Sequence, residues 1–384
     1  MKLTRRHLLA AAAATPTLSL AALPGAGDRR FVFVVLRGGL DGLTAVPAVG
    51  DPAFAEARGP LAQFGAAPLP LSGPFALHPL LPELHAMYRR GELLVAHATG
   101  IAYKERSHFD AQQVLESGGT KPHELSTGWL GRALEARGGT RAVALETAVP
   151  LVLRGASQVD TWAPSALPEP SADLVARLQS MYAGDGALAQ ALERARMLHA
   201  DGAMGGGMGP GGGRAFAVEL ARRAADFLQR GSTVAVLDLA GWDSHANQAA
   251  PNGALSNNLR TLDAMLAALR EGLQAGGAWG RTAVLVATEF GREVAVNGTQ
   301  GTDHGSGGAA FVLGGAIAGG RVLADWPGLA KKDRFEGRDL RITTDLRALQ
   351  RVLLADHLGV PRAALDSTVL PGSAALPKPD LLRA

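Results

Sequence analysis

Three apolar, β-branched runs, each stopping abruptly at glycine or acidic residues, constrain this chain more than any other feature. Phe31 to Leu36 (FVFVVL) stops at Arg37, Gly38 and Gly39; Thr233 to Leu239 (TVAVLDL) ends at Gly241; Thr282 to Ala287 (TAVLVA) ends at Thr288 and Glu289. Runs of this kind read as strands buried on both faces. Leu93 to Ala96 and Phe311 to Leu313 are shorter candidates. Helical apolar spacing lies between them, over Pro79 to Arg90, Ser107 to Ser117, Arg214 to Arg230, Leu255 to Ala275 and Leu346 to His357. Alternation of strand and helix predicts an α/β fold with a mostly parallel central sheet covered by helices on both faces. The run Gly202 to Gly213 (GAMGGGMGPGGG) cannot hold regular structure and reads as a flexible excursion. A single domain over residues 27–384 is expected, with no internal repeat.

The first residues do not belong to that fold. MKLTRRHLL, followed by an Ala-rich apolar run to Leu23, has the three-part layout of an export signal over residues 1–26. Arg5 and Arg6 after Thr4, with Leu8 and Leu9 behind, match the address read by the twin-arginine (Tat) translocase. The alternative is an ordinary secretory signal that holds two arginines. The Tat reading makes the translocase a partner during export and the periplasm or the extracellular space the destination. Cleavage can follow Ala21 or Ala26; the apolar run is short for a bilayer span and contains Pro16, so no stable membrane span is expected after cleavage. The formal charge is +3, but without Lys2, Arg5 and Arg6 the chain has 35 basic and 35 acidic residues. No basic excess remains to neutralise phosphates, so nucleic acid is not an expected partner. With no cysteine in the chain, any metal must be held by His, Asp, Glu or a hydroxyl.

Ligands of open parallel sheets bind beyond the carboxyl ends of the strands, and there the candidate residues gather. The first run delivers Arg37, Gly38, Gly39, Leu40 and Asp41, where Asp41 reads either as a ligand-facing carboxylate or as a turn or N-cap residue. The second delivers Asp243 and His245, two residues apart and able to reach one divalent ion from a loop. The third delivers Glu289 and Arg292, and a glycine-rich loop carrying Asp303 and His304 follows. In the segment KERSHFD, Ser107 heads a helix. It reads as an N-cap, or as a nucleophile favoured by the helix end and by Lys104 and Arg106. A cofactor dehydrogenase is disfavoured because Gly38, Gly39 and Gly42 lack the G-x-G-x-x-G spacing.

LRGGLDGL, KERSHFDAQ, GWDSHANQ, ATEFGRE and GTDHGSGG, in this order, resemble the exported family called domain of unknown function 1501. That family is similar to the alkaline phosphatase and sulfatase superfamily. The resemblance implies two adjacent divalent metals (zinc, calcium and magnesium are not distinguished) and a nucleophilic hydroxyl. Asp41, Glu289 and Ser107 would hold one ion; Asp243, His245 and His304 would hold the other, with Asp303 as ligand or neighbour. Arg37, Lys104, Arg106 and Arg292 would meet a small anionic ester. Two departures stand out. Alkaline phosphatases carry a histidine after the third-strand carboxylate, where this chain has Phe290, and the lack of cysteine disfavours a sulfatase with a modified cysteine. The expected activity is metal-dependent hydrolysis of phosphate or sulfate esters. The alternative is an exported binding or assembly protein that retains the fold.

Overall fold

Alternate residues of the first apolar run feed two different cores. Val32, Val34 and Leu36 pack into one, while Phe31, Phe33 and Val35 pack into the other, all without solvent exposure. A strand can do this only when both faces of its sheet are covered, and each such side chain contributes about 1.5–3 kcal/mol by leaving water. The computed structural model describes residues 28–164, 170–202 and 213–383. The export segment lies outside them, as does the glycine-rich run apart from Gly202 and Gly213.

In chain order the strands are β1 (Arg30–Leu36), β2 (Leu69–Pro70), β3 (Ala76–Leu77), β4 (Leu93–Gly100), β5 (Ala142–Ala144), β6 (Val159–Thr161), β7 (Val234–Leu239), β8 (Thr282–Thr288), β9 (Gly308–Leu313), β10 (Arg321–Leu323) and β11 (Thr344–Asp345). All but β2 and β3 form one sheet in the order β10-β4-β9-β8-β1-β7-β5-β6, with β11 added beside the end of β4. Central β1 runs parallel to both neighbours, Val34 standing opposite Leu237 of β7 and Val286 of β8. The covering helices are α1 (Pro82–Arg89), α2 (His108–Ser117), α3 (Trp129–Ala136), α4 (Arg214–Gln229), α5 (Ala254–Ala275) and α6 (Leu346–Val352). Residues of α1, α4 and α5 fill the first core; those of α2, α3 and α6 fill the second. The expected α/β sheet, mostly parallel and covered on both faces, is the one observed. The last expected helix is shorter than its apolar spacing suggests: after Val352 the chain widens into a π turn over Leu353–His357, and buried His357 hydrogen-bonds the Arg30 carbonyl at 2.8 Å.

One strand is reversed. β9 pairs antiparallel with both β4 and β8, so it begins at the edge where β1, β4, β7 and β8 end. The loop before it, carrying Asp303 and His304, therefore joins the loops that follow the parallel strands. Among the described residues, helices Ala172–Tyr182 and Gly186–Gly202 add no side chain to either core, and the first of them buries no residue. Among the described residues no helix is long and apolar enough to cross a membrane.

Candidate metal centre

Close backbone packing sets the loops against one another. Gly38 has φ +118°, and a Cβ there would lie 2.4 Å from the backbone nitrogen of Asp243, so the loops after β1 and β7 can touch only through glycine. A Cβ on Gly301 would lie 2.2 Å from the His245 carbonyl carbon, which brings the loop before β9 onto the same backbone. The result is a convergence on Asp243. Its Oδ1 lies 2.8 Å from His245 Nε2, 3.1 Å from His304 Nε2, 3.4 Å from His108 Nε2 and 3.2 Å from Arg292 Nη1. His304 Nε2 is also 3.0 Å from His108 Nε2 and 3.1 Å from His245 Nε2.

The opposite nitrogen of every ring has an acceptor. His304 Nδ1 is 3.1 Å from the Arg106 carbonyl, His108 Nδ1 is 2.8 Å from Glu289 Oε1, and His245 Nδ1 is 3.2 Å from Asp303 Oδ1. A carbonyl or carboxylate oxygen cannot donate, so each Nδ1 carries a proton, and a ring in its neutral form turns the lone pair of Nε2 inward. With the rings neutral, three imidazole lone pairs and a carboxylate oxygen face each other at hydrogen-bond distance. Such a group of electron-pair donors calls for a cation, and hydrogen-bonded Nδ1 atoms are how proteins orient histidine ligands. His108, Asp243 and His304 form a group able to hold a metal ion, their ligand atoms all within 4.8 Å of one another.

Electrostatics tune the donors. Burial works against the Asp243 carboxylate, but the His304 hydrogen bond and the charge of Arg292 bring its pKa down to about 2. His108 is raised, first by its hydrogen bond to Glu289, whereas burial lowers His304. Burial also opposes ionised Glu289, but hydrogen bonds from His108 and Gln112 outweigh it and its pKa is lowered. Asp303 is lowered chiefly by a hydrogen bond from Asn297. The centre faces water on one side only: the side chains of Asp243 and His245 are 45% and 42% exposed, and that of Glu289 is 0% exposed.

Of the expected site residues, Asp243, His245 and His304 meet, with Asp303 behind His245. Asp41 and Glu289 stand differently. Asp41 caps the short helix Gly42–Ala45 and pairs with fully buried Arg58 and with Thr44. Glu289 turns its oxygens to Gly38, His108, Gln112 and Thr288, reaching the cluster only through His108. Ser107 occupies the N-cap position of α2, but its hydroxyl makes no capping bond; the Tyr103 phenol donates to Asp110 at 3.2 Å. Three of the four expected anion-binding cations already have carboxylate partners: Arg37 has Glu116 and Asp238, Arg106 has Glu336 and Asp339, and Arg292 has Asp243. Lys104 pairs with no carboxylate among the described residues, its ammonium lying 4.9 Å from the centre of the Phe335 ring. Sequence reading passes over His108, whose neighbour Ser107 carries the conspicuous hydroxyl. The available signal was a histidine on the first turn of a helix that follows a buried strand.

An α/β sheet with a histidine and carboxylate cluster beyond the carboxyl ends of its strands defines the class of protein. The chain belongs to the family described as "Protein of unknown function (DUF1501)", whose model matches residues 101–352. No curated protein matches it in sequence. Its fold is similar to those of alkaline phosphatase superfamily members. A phosphonate monoester hydrolase of Agrobacterium radiobacter aligns at 13% identity and TM-score 0.44, over 87% of this chain and 74% of that one. The PsFucS1 sulfatase from Pseudoalteromonas sp. aligns at 14% identity and TM-score 0.44, over 89% and 70%. An alkaline phosphatase superfamily protein from Vibrio parahaemolyticus aligns at 13% and 0.43, over 94% and 76%.

Proposed function

We propose that this protein is an exported, metal-dependent hydrolase of phosphate or sulfate esters, sent across the membrane on the Arg5–Arg6 signal. The convergence of three imidazole lone pairs on Asp243 Oδ1 carries the reading. The donors fit a transition metal such as zinc better than calcium or magnesium, which take oxygen ligands. His108, Asp243, His245 and His304 would hold the ion, with Glu289, Asp303 and the Arg106 carbonyl fixing the rings. The ion supplies Lewis acidity at the ester oxygens.

Ser107 is the proposed nucleophile. It directly precedes His108, and its hydroxyl is not committed to capping. Its oxygen attacks phosphorus or sulfur, the ester bond breaks and the hydroxyl proton leaves with the departing alcohol; water then cleaves the seryl ester, releasing phosphate or sulfate and restoring the hydroxyl. Among the described residues Lys104 has no carboxylate partner, and its ammonium would meet the anionic group. A non-catalytic binding protein is the second reading, favoured by the commitment of Arg37, Arg106 and Arg292 to carboxylates.

Metal analysis of the purified protein and turnover of aryl phosphate and sulfate esters test the proposal. Ser107→Ala should lose turnover and keep its metal. A metal-free wild type that stays inactive with added zinc, manganese or iron would refute the enzyme reading.

A further inference from the structure

We propose that the chain holds one metal ion and not two, because the Arg58 guanidinium is a built-in cation on the carboxylate that a second ion would need. The inference rests on the metal centre proposed above and concerns the other half of the pair that the family resemblance implies. That half would be built from Asp41, Glu289 and Ser107, and neither carboxylate has a lone pair to spare.

Asp41 is 1% exposed and its partner Arg58 is 0% exposed. Arg58 Nη2 bonds Asp41 Oδ2 and also the Thr44 hydroxyl at 2.8 Å, while Nη1 donates to the Val294 carbonyl at 3.1 Å. The Thr44 hydroxyl and backbone N–H complete the Asp41 carboxylate at 2.8 Å and 3.1 Å. A divalent ion there would have to displace a fully desolvated guanidinium and then lie beside it, and both steps are unfavourable.

Glu289 is saturated as well. Its Oε1 accepts from Gly38 N–H at 2.8 Å, His108 Nδ1–H at 2.8 Å and Gln112 at 3.0 Å, and its Oε2 lies 2.9 Å from the Thr288 hydroxyl. Turning Glu289 to an ion would release His108 and so undo the centre already described. Phe290, which stands where alkaline phosphatases have a histidine, packs its ring 4.7 Å from His108 and 5.0 Å from His304, centre to centre. It closes that side with a group that has no lone pair to give.

Positive charge at Asp41 is therefore supplied covalently and does not depend on metal supply. The test is zinc stoichiometry of the full-length exported protein, by native mass spectrometry and elemental analysis over a zinc titration. One zinc per chain at saturation is expected. It should persist in the paired variant Asp41→Asn/Arg58→Met, which removes both charges together, and vanish in Asp243→Asn. Two zinc ions per wild-type chain would overturn the inference while leaving the metal centre standing; loss of the single ion in a folded paired variant would overturn it by tying that ion to Asp41. No zinc in the wild type would instead sink the centre itself, and this inference with it.

Discussion

Replacing Glu289 by glutamine separates the charge of this residue from its shape. If the glutamine carbonyl takes the place of Oε1, it still accepts from Gly38, His108 and Gln112. The new NH2 then lies where Oε2 was, next to the Thr288 hydroxyl. That hydroxyl can give its proton to the Leu36 carbonyl, 2.7 Å away, and accept from the amide. Every buried polar group keeps a partner, so the fold should lose only about 1 kcal/mol. Metal affinity should respond differently, because the carboxylate makes the His108 imidazole a stronger donor. Neighbours that act in this way on a ligand are typically worth 10–100-fold in affinity, or about 1.4–2.8 kcal/mol. Competition of the variant against a calibrated zinc chelator, with a urea melt of the apo form alongside, measures both quantities. Unchanged zinc affinity in a folded Glu289→Gln protein would refute the assignment of His108 as a ligand supported by Glu289.

Arg58→Ala should cost about 3–5 kcal/mol in urea unfolding, because it leaves the Asp41 carboxylate buried without its cation; a loss under 1 kcal/mol would show that the site relaxes or hydrates freely. Burial holds His78, His97 and His357 near pKa 4, against an ordinary value of 6.5. Between these values each of the three rings binds more protons in the unfolded chain, so its own contribution to apo-protein stability should fall as pH drops from about 6.5 to about 4, against the opposite contribution of Glu146, Asp238 and Asp263, whose pKa values burial raises to about 7, 6 and 6. A His97→Gln variant, compared with the wild type by urea midpoints at pH 6.5 and pH 4, should lose less stability on acidification, and equal losses would contradict the neutral, buried ring. His304→Ala should bind zinc at least tenfold more weakly while keeping its near-UV circular dichroism, since the residue stands on a loop at the rim of the sheet. Lysine in place of both Arg5 and Arg6 should strand the precursor in the cytoplasm, and cell fractionation showing undiminished export would remove the twin-arginine assignment.

Much of the sheet and most of the candidate ligands are legible in sequence, because the information is local. Phe31 to Leu36 can only be a strand covered on both sides, and α4 and α5 carry their buried faces in their spacing. Asp243, His245, Asp303 and His304 draw notice as polar residues in loops next to apolar runs. The direction of β9 is not legible, since an apolar run reads alike from either end and only its pairing with β4 and β8 decides it. The metal centre depends on that reversal, which carries His304 to a partner, His108, 196 residues away. The partners of the carboxylates were also decided by tertiary structure. Asp41 and Glu289 are equally plausible ligands on paper, but Asp41 faces the Arg58 guanidinium and Glu289 faces the far nitrogen of His108. Sequence by itself determined which side chains gather at the rim of the sheet. Only the packed fold decided which lone pairs are left unshared, because a hydrogen bond requires two groups brought together and the chain order says nothing of the second.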